Sequence, residues 1–206
     1  MRAVSPRHAR RPRPRIDPGT LDACRRGERE AIEQVLVAHT PMLERTLTRI
    51  LGPGADLEDA LQSAFASAIT AFPRFRGEAA VGTWLCRIAV CAAMDRLRSP
   101  ERRRRVHLEL VGSTEPSASE PTPDRHADSR RTLTRLYEHL AHIDDDKRIA
   151  FVLHVLEGRP MDEVAALVGA SRSATKSRVF WARRALLAKV RRDPALRHLL
   201  EPGGMP

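Results

Sequence analysis

Residues 100–129 constrain this chain most, because they cut it in two. Between Ser113 and Asp124 nearly every residue is Ser, Pro, Thr, Glu or Asp. Such a run has too few apolar side chains to offset the entropy of ordering its backbone, so it reads as a flexible linker. It leaves an N-terminal domain at residues 18–99 and a C-terminal domain at 130–196. Outside these lie an arm at residues 1–17, with six Arg and no acid in its first fifteen positions, and a tail at 197–206. The arm is expected to be disordered.

Neither domain is long enough for a large core, and the residue choice favours helix over sheet. Aromatics make up 4% of the chain and Gly only 11 of its 206 residues, while Ala, Leu and Arg abound. Apolar positions at three- and four-residue steps predict helices over 19–37, 41–51, 57–72 and 80–97. In the first of these the apolar positions are Leu21, Ile32, Val35 and Leu36, and the second follows a Thr40-Pro41 start signal. The expected fold is all-α, with a small N-terminal helical bundle, a C-terminal helix-turn-helix, and a flexible linker joining the two.

The helix-turn-helix is the sharpest local signal. A short helix from Met161 meets Val168-Gly169-Ala170-Ser171, and a long helix follows from Arg172. Gly169 tolerates the left-handed backbone of such a turn, and Ser171 is a good N-cap. Val179, Ala182, Leu186 and Val190 form an inward stripe on the second helix. The opposite face carries Ser173, Ser177, Phe180, Trp181 and Arg184, flanked by Arg172 and Lys176, and is suited to a major groove. Phe180 and Trp181 have a second reading, as packing partners of Leu153 and Leu156.

Charge narrows the partners. The net charge is +10, and only Lys147, Lys176 and Lys189 among the 36 basic residues are lysines, which points to a polyanion. No apolar run reaches the ~18 residues of a spanning helix and no signal peptide follows the N-terminus, so no membrane insertion and a cytoplasmic location are expected. Charge is also uneven within the first domain. Residues 21–59 carry five bases and eight acids, and residues 60–106 nine bases and three acids. This polarity suits a module that meets protein on one face and nucleic acid on the other.

Cys24, Cys86 and Cys91 form neither a disulfide framework nor a zinc pattern and read as reduced thiols. His142 and Asp144 to Asp146 lack further ligands at metal-binding spacing, and the aspartates read as caps for a helix near Lys147. No carboxylate cluster or nucleophile–base pair marks an enzyme, and no cofactor is expected.

In order, the chain carries Asp59-Ala60-Leu61-Gln62, Phe75-Arg76-Gly77-Glu78-Ala79, Thr83-Trp84-Leu85-Cys86-Arg87-Ile88-Ala89, Asp95-Arg96-Leu97-Arg98, Leu156-Glu157-Gly158, Glu163-Val164-Ala165 and Lys176-Ser177-Arg178. This ordered set resembles the extracytoplasmic-function (group IV) sigma factors of bacterial RNA polymerase over about residues 19–98 and 130–192. The resemblance implies an alternative sigma factor that binds core RNA polymerase, recognises promoter DNA and promotes initiation. Its first domain corresponds to sigma region 2 and its second to region 4.

Polymerase clamp contact through a coiled coil then falls on Asp56, Asp59 and Gln62. Capture of a flipped minus-ten base falls on Phe75, Arg76 and Gly77, with Trp84, Arg87, Cys91 and Asp95 beside it, although Trp84 also reads as core packing. Minus-thirty-five duplex recognition falls on Arg172, Ser173, Lys176, Ser177, Phe180, Trp181 and Arg184, and the helices over about 133–156 dock on the polymerase flap. The resemblance also makes an anti-sigma inhibitor a plausible partner. In this chain Ser63 stands where relatives usually have an acid, Cys91 where many have Asn, and Trp181 where Arg is common. The rival reading is a stand-alone helix-turn-helix transcriptional regulator, which accounts for the second domain but needs no single-strand loop at Phe75.

Overall fold

The computed structural model describes residue 14 and residues 16–52, 54–100 and 125–197, the side chains of 125–130 and 133 excepted. Most of the expected arm, residues 101–124 of the expected linker, and residues 198–206 lie outside that set. Among the described residues every regular element is helical, in two groups. The first holds α1 (Pro18–Arg25), α2 (Arg29–Leu51), α3 (Ala55–Ala71), a 3-10 turn (Phe72–Arg74) and α4 (Val81–Arg98). The second holds α5 (Arg125–Ala141), α6 (Asp145–Phe151), a π-helical turn (Val152–Leu156), α7 (Met161–Leu167) and α8 (Arg172–Arg192).

The expected break at Thr40-Pro41 is absent. Pro41 lies inside α2, and the chain turns instead at Arg26 to Glu28, where Gly27 takes φ +81°. Proline deprives the carbonyl four residues back of its donor, which here belongs to Val37, a residue 66% exposed and open to water. Asp17 starts α1 by accepting from the backbone of Gly19 and Thr20, with Pro18 at the first helical position.

α3 buries only alanines, Ala60, Ala64 and Ala68, at four-residue steps against α4, which presents Ala89, Ala92 and Ala93. Small residues on both sides let the two helices approach closely. In the second group Asp144 caps α6 by accepting from the Lys147 amide, as expected of that cluster. Ser171 accepts from Ala174 N at 3.1 Å and Gly169 takes φ +62°, so the turn uses the chemistry legible in its sequence. Val179, Ala182, Leu186 and Val190 are all buried.

The two groups do not stand apart. Leu85 and Cys86 of α4 belong to one buried cluster with Ile149, Leu153, Val164, Leu167 and Val179. A smaller cluster of Leu140, Ile143, Phe151, Leu186 and Leu196 ties α5 and α6 to α8.

Candidate nucleic-acid and polymerase interfaces

The loop after the 3-10 turn has a buried base and an exposed crest. Phe75, expected to stack on an unpaired base, is 6% exposed. Its ring centroid lies 4.9 Å from Trp84 and 6.4 Å from Phe72, and the Arg25 guanidinium covers it at 5.7 Å. In the free chain Phe75 thus packs within the protein as the floor of the loop, with only a small part of its surface open to the cleft beside it. Arg76, Gly77, Glu78 and Ala79 above it are exposed, with Gly77 at φ +76°. Arg76 and Glu78 are 3.9 Å apart at the surface, an ion pair worth little in water. Trp84 is half-buried between Phe72 and Phe75, so it packs in the core while still lining a cleft.

That cleft, about 330 Å³, is bounded by Arg74 to Ala79, Thr83, Trp84 and Arg87 on one side and by Glu163, Ala166 and Leu167 of α7 on the other. Its volume is in the range of small-ligand pockets. From it, Arg87, Cys91 and Asp95 continue along α4 at four-residue steps, all exposed on one face.

The acidic turn of α3 is held by a residue that sequence reasoning passed over. Arg96 Nη2 lies 2.9 Å from Asp56 Oδ1 and 2.7 Å from Asp59 Oδ2. The aspartates therefore tie α3 to α4, and no side chain caps the start of α3. Asp59 and Gln62 remain exposed, and farther along α3 Ile69 is exposed as well. The signal for Arg96 was available, since a base near the end of α4 can reach the start of an antiparallel neighbour.

On α8, Arg172, Ser173, Lys176, Ser177, Phe180, Trp181 and Arg184 are all exposed. Phe180 and Trp181 are 58% and 50% exposed. Their rings meet edge to face at 5.4 Å, and Arg184 lies 5.6 Å over the Trp181 ring. The helix contains no Asp or Glu, so every charge it presents is positive, and Arg172 forms an exposed pair with Asp162 of α7.

The sequence matches the family model of sigma-70 region 2 over residues 36–104 and that of sigma-70 region 4 over residues 133–186. It is 33% identical over 159 residues to RNA polymerase sigma factor CarQ of Myxococcus xanthus, an alignment covering 77% of this chain and 88% of CarQ. The chain belongs to the sigma-70 family, in its extracytoplasmic-function group. This sigma factor is also 27% identical over 176 residues to the ECF RNA polymerase sigma-E factor of Escherichia coli K12, covering 82% and 92% of the two chains. Its fold is that of CnrH, solved with the cytosolic domain of CnrY (TM-score 0.59, 22% identity, 84% of this chain and 96% of that one). It is likewise that of the sigma factor RpoE, solved with the anti-sigma factor NepR from Bartonella quintana (TM-score 0.54, 23% identity, 76% and 94%). It is an alternative sigma factor serving transcription initiation.

In this sigma factor the two matched regions are latched together. Glu157, just before the helix-turn-helix, accepts a 2.6 Å hydrogen bond from the Thr46 hydroxyl of α2 and lies 3.9 Å from Arg49. Its other carboxylate oxygen accepts from Arg159 Nε at 2.8 Å, and Arg159 Nη1 donates to Glu163 at 2.8 Å. Burial alone would lower the Arg159 pKa, but the electrostatic pull of Cys86, Glu157 and Glu163 outweighs it and pushes it up. A second clasp forms at Asp146, which pairs with Arg98 of α4 at 3.2 Å and Arg178 of α8 at 2.7 Å. Among the described residues no group of three or more His, Cys, Asp or Glu is placed to hold a metal ion. Nor is any helix there long and apolar enough to cross a membrane.

Proposed function

We propose that this sigma factor, bound to core RNA polymerase, reads promoter DNA with two surfaces that the free chain folds side by side. The first is α8: Ser173, Lys176 and Ser177 face base edges, Phe180 and Trp181 add apolar contact, and Arg172 and Arg184 meet phosphates in the minus-thirty-five duplex. The second is the crest of the loop, where Arg76 and Gly77, with Arg87, Cys91 and Asp95 beyond them, hold the unpaired minus-ten strand. Phe75 and Trp84 support that crest from below. A base leaving the stack loses a few kcal/mol, and guanidinium donors along an exposed crest can return part of it.

Asp59 and Gln62, with Asp56 beneath, meet the polymerase clamp, and the helices before the turn meet the flap. Residues 18–99 and 130–196 act as the two working modules. Binding energy does the work, and the polymerase supplies the chemistry. The site of action is the cytoplasm, where the polymerase operates. An anti-sigma protein is a fitting inhibitor, since RpoE was solved with one.

One observation carries this reading: a helix-turn-helix whose long second helix carries no acid and exposes its outer face, joined to a module whose loop crest is exposed. Scale adds a requirement. Promoter elements about 25 base pairs apart are separated by about 85 Å at 3.4 Å per step. A folded body of about 160 residues is only about 40 Å across. The latched form cannot span both elements, so engagement requires the two regions to separate.

The test is transcription by core polymerase reconstituted with this chain on a promoter library, with start sites mapped by sequencing. Lys176→Ala should weaken minus-thirty-five duplex binding, and Arg76→Ala should lose open complexes while keeping duplex binding. Failure of the wild-type chain to associate with core polymerase at physiological salt would overturn the reading.

A further inference from the structure

We infer that Arg25, on α1 and outside both matched family segments, is a positioning residue for the loop that holds the minus-ten strand. The inference rests on the assignment of that loop made above. Three contacts converge on one side chain. Arg25 Nε donates to the Phe75 carbonyl at 3.0 Å, across 50 residues of sequence. Its guanidinium covers the Phe75 ring at 5.7 Å. A Cβ built on Gly77 would meet Arg25 Nη2 at 2.9 Å, so the loop passes directly over the guanidinium. Asp22 holds the other side of the fork, with its carboxylate 2.6 Å from Arg25 Nη1.

The crest of the loop has little else to order it. Its own ion pair, Arg76 with Glu78, is 3.9 Å long and solvent-exposed. The Phe75 amide is tied to Phe72, behind the crest. Arg25 therefore fixes the carbonyl at the loop's start and lies against Gly77, whose positive φ favours glycine there. A loop ordered before binding does not lose that entropy when it captures a strand. Lysine is no substitute, because a point charge on a flexible stem offers neither the Nε–H in its plane nor a flat face for the ring.

The test uses holoenzyme assembled from core polymerase and variant chains, on a fork template whose promoter comes from the start-site mapping and which carries 2-aminopurine at the unpaired minus-ten base. Arg25→Ala should weaken capture of the unpaired strand about tenfold, the worth of one hydrogen bond to a charged group. Core affinity and minus-thirty-five duplex binding should stay unchanged. Arg25→Lys should restore little. Gly77→Ala should also weaken capture, through backbone strain at its positive φ as well as displacement of the guanidinium, and the double variant should fall short of the product of the two single effects because part of each loss is the shared contact.

Full rescue by lysine would make Arg25 a plain phosphate contact and overturn the inference, as would additive effects of the two substitutions. Normal capture by Arg25→Ala alongside a defective Gly77→Ala would overturn it while sparing the loop assignment. If Arg76→Ala and Gly77→Ala both capture the strand normally, the loop assignment itself falls.

Discussion

Thr46→Val tests the latch, because it removes one hydroxyl and keeps the side-chain shape. Thr46 is 1% exposed, and its hydroxyl donates at 2.6 Å to a carboxylate 111 residues away in the other region. A hydrogen bond to a charged group contributes about 1.5–3 kcal/mol, and leaving its buried acceptor short of a donor costs in the same range. Arg49, at 3.9 Å, and Arg159, at 2.8 Å, still face Glu157, which places the loss near the lower end.

A change of about 1.5 kcal/mol in favour of the open form is roughly a tenfold rise in its population. Dyes on Cys91 and on an Ala185→Cys substitution, both exposed, report the separation of the regions by single-molecule energy transfer; Cys24 and Cys86 are buried and do not label. The long-distance fraction should rise about tenfold. If only the open form docks productively, the apparent affinity for core polymerase should rise by the same factor while that fraction is small. An unchanged distance distribution would refute the latch, and opening without tighter association would refute its inhibitory role.

Three further outcomes are expected. Lys176→Ala should lower the slope of log affinity against log salt by about one if it meets a phosphate, whereas a base contact would relax preference at one promoter position; binding titrations over a salt series distinguish these. Asp193→Asn should destabilise the packing of α5 on α8 by about 2 kcal/mol in a denaturant melt, because Asp193 accepts from Arg135, His139 and the Ala195 amide. Burial would raise the Asp193 carboxyl, but the His139 hydrogen bond, the Ala195 amide and Arg135 together hold it below the usual range. Its contribution is therefore complete above the unfolded carboxyl value of about 3.9 and is lost as pH falls through the lower folded value. His39 is buried with Nδ1 donating to Val35 O at 2.8 Å, and burial pushes its pKa down from the ordinary 6.5 despite that bond. Below that pH the unfolded chain takes up a proton that the folded chain refuses. The melting temperature should fall between pH 7.5 and 5.5, and His39→Gln should flatten that fall.

Legibility in the sequence tracked the range of the interactions. The turn before α8 could be read in advance because its two devices, a left-handed glycine and a serine cap, act within four residues. The buried stripe of α8 and the exposed face opposite follow from helical periodicity alone. The start of α2 was misplaced because a proline signals a break only if the carbonyl behind it cannot reach water, and that depends on which face of the helix is outside. Phe75 was legible as part of a loop but not as its floor, since Arg25 and Trp84 reach it from other helices.

The sequence by itself thus determined the all-helical class, the exposed acid-free face of α8 and the family. Only the tertiary structure decided that Leu153, Val164 and Leu167 pack against α4, that Glu157 closes on Thr46, and that Arg96 takes up the acidic turn of α3. Periodicity shows that a face is apolar and so must be covered. Which surface covers it is set by shape and charge complementarity between residues 40 to 111 positions apart, and no local pattern contains that information.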